Sequence, residues 1–429
     1  MPEKRLKKSL GMNKVMGEKQ AEALSHIRVL DLTDEKGQLC GKFLADLGAK
    51  VIKVEPPEGD PARLKGPFFQ NVPDKEKSLF WFGNNANKKS VTLNLENHEG
   101  RLIFLRLVRN TDIVIESHSP GYMKSIGLDY DSLKAENPRI ILTSITPFGQ
   151  TGPYANYNAY DLPIAAMSGF MFTCGDDDRA PVRISVGQAY AAAGVQAASA
   201  SLLALLSCSL NGEGQQVDIS MRDCLPSGGF ETYFFETEGY VGERLGTRRR
   251  RANIFIRDLW PCKDGYIGWR LMVGMLGAPT AYKLVEWMDE EGLAGELKDI
   301  KWESLDMAEI TQEDMEFWES IIIPFLKKHT KAEIYEMALK NEMPMAPAYD
   351  IKELLDYPQL SERKYWEEVH YQELNSSITH PGAFCKLSGS PIKPPSRAPL
   401  MGEHNKEIYT DDLDMSEQDL TLFNKQGII

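Results

Sequence analysis

The sequence predicts an α/β fold with an open, largely parallel sheet and a smaller second domain. Short β-branched runs alternate with helical patterns between residues 27 and 145, which is the order of repeated βαβ units. After about residue 228 this alternation stops, and a charged stretch is followed by a hairpin pattern at 260–269. The 429 residues, 42% of them hydrophobic, are enough for one large and one smaller core.

The first βαβ unit comprises an apolar run at 27–32, a helical stretch at 38–47 and a second apolar run at 51–54. Further strands are predicted at 90–95, 113–116 and 140–145, with a helix at 99–109 among them. Ligands of such sheets usually bind outside the carboxyl ends of the strands, so the site is expected at that edge. No GxGxxG follows the first strand and no GxxxxGKS/T occurs, so nucleotide binding through these glycine loops has no support.

The later segments are read from composition. Residues 188–206 are rich in Ala, Leu and Ser, which predicts a closely packed buried helix that ends at the glycines of 212–214. A smaller domain is predicted at 229–344. The prolines between 391 and 399 predict extended backbone rather than helix.

Composition and charge exclude several functions. A net charge of -13 argues against nucleic-acid binding, because phosphate neutralisation needs clustered Lys and Arg. Six scattered cysteines without CxxC spacing or a Cys/His cluster predict no disulfide framework, no metal site and a reducing, cytoplasmic location. The first 26 residues lack the apolar stretch of a signal peptide, and no later window approaches 18 apolar residues, so no membrane span is expected.

Several separated motifs carry a family resemblance. They are VLDL at 29–32, LGAKVIKVE at 47–55, NKKS at 87–90, SPG at 119–121, NPRII at 137–141, FGQTGPY at 148–154, GEGQ at 212–215 and GEH at 402–404. This ordered set resembles the family III CoA-transferases, which move CoA from an acyl-CoA thioester to a free carboxylic acid.

The resemblance implies an architecture and a substrate. It implies a Rossmann-like large domain made from both chain ends, residues 27–228 plus 345–429, with the smaller domain at 229–344 inserted and 1–26 as an extension. Two interlocked subunits are implied as well. The substrates are an acyl-CoA thioester and a carboxylic acid, and no permanently bound cofactor is implied.

The position of the family's nucleophile is occupied by a residue that cannot replace it. The resemblance places a catalytic aspartate in the pattern Asp-x-x-x-Gly, and counting back from Gly194 gives Tyr190, or Gln188 with a two-residue slip. An unperturbed tyrosine with a pKa near 10 is only about 0.1% ionised at pH 7, and glutamine is no anion at all. Tyr190 is therefore interpreted as a residue of shape or hydrogen bonding.

Asp161 is the nearest carboxylate in a family motif. In related acyl-CoA racemases the dipeptide is His-Asp, but Tyr160 stands in the histidine's place here, so the proton-shuttle pair that would invert an α-carbon is absent. Three roles are open for Asp161: lining the pocket, capping the following helix, or acting chemically.

The resemblance also implies a CoA site. Its bordering residues are Arg63, Asn87, Lys88, Lys89, Leu93, Leu95, Ser117, His118, Gly121 and Lys124. Lys88 and Lys89 have the alternative of an ordinary solvated pair, and His118 is expected either to stack on adenine or to be a core histidine. The arginine run at 248–251 is interpreted as an anion clamp, a surface turn or a subunit contact.

Three functions are compatible with this sequence. The first is a CoA-transferase subunit whose catalytic aspartate is supplied by a related partner subunit. The second is a self-sufficient acyl-CoA transferase or isomerase that uses Asp161 or another carboxylate and forms at most a self-dimer. The third is a non-catalytic acyl-CoA-binding protein.

Overall fold

The computed structural model describes residues 21–225, 244–251 and 254–429. By backbone packing these residues divide into two compact units. The first unit contains residues 21–164, 187–225 and 362–429, and the second contains 165–186, 244–251 and 254–361. Each unit therefore combines segments that are distant in sequence.

The first unit is built on a six-stranded parallel sheet in the order β3-β2-β1-β4-β5-β6. Its strands are β1 (Arg28–Asp31), β2 (Lys50–Glu55), β3 (Lys89–Thr92), β4 (Ile113–Glu116), β5 (Ile141–Thr146) and β6 (Gln216–Ser220). Val29 of β1 pairs with Val51 on one side and Ile113 on the other. The predicted α/β class and parallel βαβ order are confirmed.

Helices pack against this sheet, and an antiparallel strand pair at 366–371 and 376–381 also belongs to the unit. The helices are α1 (Gln38–Asp46), α2 (Leu79–Asn85), α3 (His98–Val108), α4 (Tyr122–Ser125), α5 (Tyr130–Glu136), α6 (Asp161–Met167), α7 (Ala189–Asn211) and, near the carboxyl terminus, α13 (Asn405–Asp411) and α14 (Glu417–Lys425). Strands β1, β4 and β5 are almost completely buried, which explains why their sequences do not alternate between apolar and polar residues.

Helix α7 is buried on one side only. Ala189, Ala193, Ala197 and Ser201 recur every four residues, are almost inaccessible to solvent and face α1 and β5. The opposite side exposes large apolar residues, namely Val195, Leu203, Leu206 and Leu210. The prediction of a closely packed buried helix is therefore confirmed for the first side and wrong for the second. Gly212, with a φ of 83°, ends the helix as predicted.

The same helix corrects the expectation about apolar windows. Its 23 residues have a mean hydropathy of 1.6 over the best 18-residue window, so by length and composition alone it is able to cross a membrane. Core helices of soluble proteins pass the same test, and 39% of this window is buried against the rest of the chain.

The second unit contains two small sheets and a helical layer. Strands β7 (Arg248–Arg251) and β8 (Ile254–Arg257) form an antiparallel pair, and β9 (Leu259–Cys262), β10 (Gly265–Gly268) and β11 (Ala346–Pro347) form a three-stranded sheet. The helices are α8 (Gly274–Glu290), α9 (Gln312–Leu326), α10 (Lys331–Lys340) and α11 (Ile351–Leu355), followed by α12 (Pro358–Glu362). The predicted hairpin at 260–269 is confirmed by the β9–β10 pairing.

The arginine run is a strand, so its interpretation as a surface turn is wrong. Antiparallel pairing with β8 alternates the side chains across the ribbon, and each described ion pair uses an acidic residue of the same unit. Arg248 lies 3.3 Å from the Glu319 carboxylate, and Arg249 lies 2.6 Å from that of Asp258. Residues 391–399 contain neither helix nor strand, in agreement with the predicted extended backbone.

Candidate active site

A cleft of about 300 Å³ lies at the carboxyl ends of β1, β4 and β5, beside the first turn of α7. The polypeptide leaves each strand here, so polar loop residues replace the apolar strand residues. The lining residues are Glu35, Lys36, Ser117, His118, Ser119, Pro120, Pro147, Ala155, Asn156, Tyr157, Asn158, Ala159, Tyr160 and Tyr190. The cleft therefore brings Tyr190 together with the loop that follows β1.

Close packing of two helices brings Tyr190 to this cleft. A Cβ atom at Gly194 would lie 2.8 Å from the Leu39 Cβ, so α7 approaches α1 at a point where only glycine fits. Tyr190 is one helical turn earlier on the same side of α7. It consequently lies next to the loop at 33–36, which leads into α1.

Asp161 holds the start of α7 by a hydrogen bond. The Ala189 N–H, at the first residue of α7, donates to Asp161 Oδ1 over 2.8 Å. Tyr190 follows Ala189 directly in the first turn of the same helix. Gln188, which precedes α7, makes no side-chain capping bond, so the carboxylate of a distant segment satisfies this helix terminus. We call this arrangement the Asp161/Tyr190 clasp.

The electrostatics of the cleft keep Tyr190 protonated. Burial raises the pKa of its phenol, and the nearby carboxylates of Glu35, Asp34 and Asp161 raise it further, against a smaller opposing effect of the Asp161 N–H. A phenol with a raised pKa is a hydrogen-bond donor and not an anionic nucleophile. Tyr160 lines the same cleft with two thirds of its surface exposed.

The sequence analysis did not identify the loop after β1 as part of the site. Glu35 lines the cleft and pairs with Lys65 over 2.7 Å, while Lys36 forms an ion pair with Asp34. The available signal was the polar sequence Thr-Asp-Glu-Lys directly after a buried strand, at the sheet edge where ligands bind. Glu35 is the carboxylate among the residues that line this cleft, and Asp161 does not line it.

A second, larger cleft of about 520 Å³ collects part of the predicted CoA set. Leu93, Leu95 and His118 line it together with Tyr122, whose ring lies 4.5 Å from the His118 ring. Burial lowers the pKa of His118 to about 4, so the imidazole is neutral at physiological pH. His118 also lines the smaller cleft, and the two clefts therefore meet at this side chain.

The walls of the larger cleft are acidic. Its lining includes the carboxylates of Asp34, Glu55, Glu58, Asp60 and Glu96 and no Lys or Arg. The phosphate groups of a CoA molecule would thus find no cation within these walls.

Two predicted CoA cations are engaged inside the fold. Arg63 is fully buried, with its guanidinium 2.6 Å from the Glu55 carboxylate and 3.8 Å above the Trp81 ring. Lys88 Nζ lies 2.8 Å from Asp31 Oδ2 and is also buried, so the solvated alternative is wrong for this lysine.

The Lys88 ion pair stabilises the loop after β1. Burial alone would raise the pKa of Asp31, but Lys88 and Lys53 together hold it below its usual value. Asp31 Oδ1 in turn accepts hydrogen bonds from the Thr33 hydroxyl and N–H over 2.6 and 2.9 Å. Lys53 adds a bond to the Thr33 carbonyl. The buried cations therefore position the backbone that carries Glu35.

The other predicted residues lie apart. Asn87 bonds to Asp46 over 2.7 Å, and Lys89 is half exposed and paired with Glu407. Ser117 donates to Asp34 Oδ1 over 2.7 Å at the smaller cleft. Gly121 and Lys124 line a separate depression of about 250 Å³ with Asp131 and Gln150. A CoA-binding role for these residues stays a prediction.

Comparison with known proteins supports the resemblance. The sequence model of "CoA-transferase family III" matches residues 24–405. The succinyl-CoA:(R)-benzylsuccinate CoA-transferase subunit BbsE of Thauera aromatica is 35% identical over 396 residues, which cover 90% of this chain and 93% of the relative. The succinyl-CoA–D-citramalate CoA-transferase of Chloroflexus aurantiacus is 30% identical, with 95% and 98% covered.

The fold leads to the same group. The crystal structure of a CAIB/BAIF family protein from Brucella suis superposes with a TM-score of 0.79 at 28% identity, covering 92% of this chain and all of that one. The motifs, the parallel sheet and these relatives together establish that the chain belongs to CoA-transferase family III.

Proposed function

We propose that this chain is a subunit of a two-subunit family III CoA-transferase, in which a related partner subunit supplies the catalytic aspartate. The enzyme moves CoA between an acyl-CoA thioester and a free carboxylic acid. The observation that carries the proposal is that neither Tyr190 nor Gln188, the two residues that the family pattern places at the nucleophile position, is a carboxylate. Family chemistry needs a carboxylate there, because the intermediates are a mixed anhydride and an enzyme-bound thioester.

Two further observations support a partner. The relative BbsE is by its name one subunit of its enzyme. The outer side of α7 exposes Val195, Leu203, Leu206 and Leu210, a row of apolar side chains of the kind that protein interfaces cover. This row begins within two helical turns of Tyr190. A partner on α7 would therefore reach the edge of the cleft, in keeping with the interlocked subunits that the family resemblance implies.

The test is reconstitution with an aspartate-bearing family III chain from the same source. We expect native mass spectrometry to show a second chain of similar size with the purified protein. The pure single chain should give no hydroxylamine-sensitive thioester with acyl-CoA, and the complex should form one on the partner. Robust CoA transfer by the single chain would refute the proposal. We further propose a cytoplasmic enzyme, which rests on six unpaired cysteines.

A self-sufficient enzyme is the second candidate, and Glu35 is the observation that favours it. Its carboxylate lines the cleft beside Tyr190, whereas Asp161 Oδ1 is engaged with the α7 terminus. In this case Glu35→Gln should abolish transfer by the single chain and Asp161→Asn should not. If neither the single chain nor any pair of subunits transfers CoA, but calorimetry detects binding of acyl-CoA, the chain is a non-catalytic binding protein.

A further inference from the structure

We infer that Tyr190 donates a hydrogen bond to the carbonyl oxygen of a bound acyl-CoA thioester, so that the cleft of this chain holds the thioester without attacking it. The inference rests on the proposed function, because it takes acyl-CoA as the ligand. It adds a binding role for the residue that stands where the family keeps its nucleophile.

The first step is the fixed position of the phenol. The Asp161 carboxylate accepts the Ala189 N–H over 2.8 Å, so the helix start that carries Tyr190 is tied to the start of α6. A neutral phenol has its own proton to donate. Burial and nearby carboxylates hold that proton in place.

The second step is the comparison with the other tyrosines of the cleft. Tyr157 and Tyr160 are 60% and 67% exposed, so water competes for their hydroxyl groups, whereas Tyr190 is half-buried. A donor that is fixed before the ligand arrives loses little conformational freedom on binding. Tyr190 is consequently the preorganised donor among the three phenols.

The third step is the path of the ligand. His118 lines both clefts, and the larger one collects Leu93 and Leu95 from the predicted CoA set. The uncharged pantetheine arm of a CoA molecule that lies along Leu93 and Leu95 in the larger cleft passes His118 and brings its thioester into the smaller cleft. The thioester carbonyl is the strongest neutral acceptor at that end of the molecule, and Tyr190 lies in the wall it meets.

The experiment compares two ligands that differ in one carbonyl group. Butyryl-CoA and S-butyl-CoA are titrated calorimetrically into the wild-type chain, the Tyr190→Phe variant and a Tyr266→Phe control, which removes an exposed hydroxyl that lines neither cleft. For Tyr190→Phe we expect the Kd of butyryl-CoA to rise about 3- to 10-fold and that of S-butyl-CoA to change less than about 2-fold. The control should leave both unchanged.

The infrared band of a ¹³C-labelled thioester carbonyl provides a second readout. The band should shift to lower wavenumber when the thioester binds to the wild-type chain. With Tyr190→Phe the bound thioester should show the same wavenumber as the free thioester. Equal weakening of both ligands, or no weakening of either, would overturn the inference while leaving acyl-CoA binding intact. Failure of the wild-type chain to bind either ligand would overturn the inference and the acyl-CoA-binding function together.

Discussion

Removal of the Asp161 carboxylate tests the Asp161/Tyr190 clasp directly. In Asp161→Ala the Ala189 N–H, which belongs to a completely buried residue, loses its acceptor. An unsatisfied buried donor costs about 1–3 kcal/mol, and loss of a negative charge at a helix amino terminus costs about 0.3–1 kcal/mol more. In Asp161→Asn the side-chain oxygen remains as an acceptor, so only the smaller charge effect of about 0.3–1 kcal/mol is expected.

Hydrogen exchange is the appropriate assay, because the chain has two compact units and global unfolding need not be two-state. Peptides that cover the first turn of α7 should exchange roughly 10-fold faster in Asp161→Ala, since about 1.4 kcal/mol corresponds to a factor of ten. Peptides from α9 and α10 in the second unit should be unaffected and serve as an internal control. Asp161→Asn should lie close to the wild type.

The activity of the same variants separates structure from chemistry. If Asp161 acts through the clasp, Asp161→Asn retains CoA transfer in the reconstituted complex. Unchanged exchange in Asp161→Ala, or loss of all transfer in Asp161→Asn with normal exchange, would refute this reasoning and identify the carboxylate as a chemical group.

Three other predictions concern the site and the fold. Tyr190→Asp should form a hydroxylamine-sensitive adduct with acyl-CoA on this chain, because aspartate is ionised at pH 7; intact mass should show it, and a Tyr190→Asn control should not. Gly100→Ala places a Cβ 1.9 Å from the Asn94 carbonyl oxygen and should lower the free energy of unfolding by about 1–3 kcal/mol. A Cβ at Gly83 would have no atom within 4 Å, so Gly83→Ala should raise this free energy by about 0.5–1 kcal/mol. Equal effects of the two variants in urea unfolding would contradict this prediction. Burial raises the pKa of Glu116 to about 7, so the native state favours the neutral form of this carboxyl group. The resulting stability is complete below the ordinary pKa of 4.5, and about 3 kcal/mol of it is lost as the pH rises to about 7. Glu116→Gln should flatten this pH dependence of the free energy of unfolding in urea.

Local sequence patterns determined the central strands and their order. The run predicted at 113–116 coincides with β4, and the βαβ unit at 27–54 agrees with β1, α1 and β2 to within about two residues. Strands buried on both faces are continuously apolar, and this signal needs no knowledge of neighbours. Strand β6 was not predicted, because it is only partly buried and its sequence therefore has a weaker apolar pattern.

Features that depend on distant partners were not predictable in this way. The arginines of β7 read as a charge run, since the antiparallel partner and the carboxylates of Asp258 and Glu319 lie elsewhere in the sequence. Both sides of α7 are apolar, with small residues on the buried side and large ones on the exposed side, so apolar periodicity alone does not indicate which side is covered.

The candidate site likewise has features that depend on local sequence and features that depend on long-range contacts. The sequence by itself determined the family framework and showed that neither Tyr190 nor Gln188 is a carboxylate, because this depends on residue identity alone. Only the tertiary structure brought Asp161 to the start of α7 and Tyr190 into the cleft, since the two residues are 29 positions apart in the sequence. Long-range contacts also buried Lys88 and Arg63 and brought Glu35 into the cleft, and neither result is encoded in local pattern.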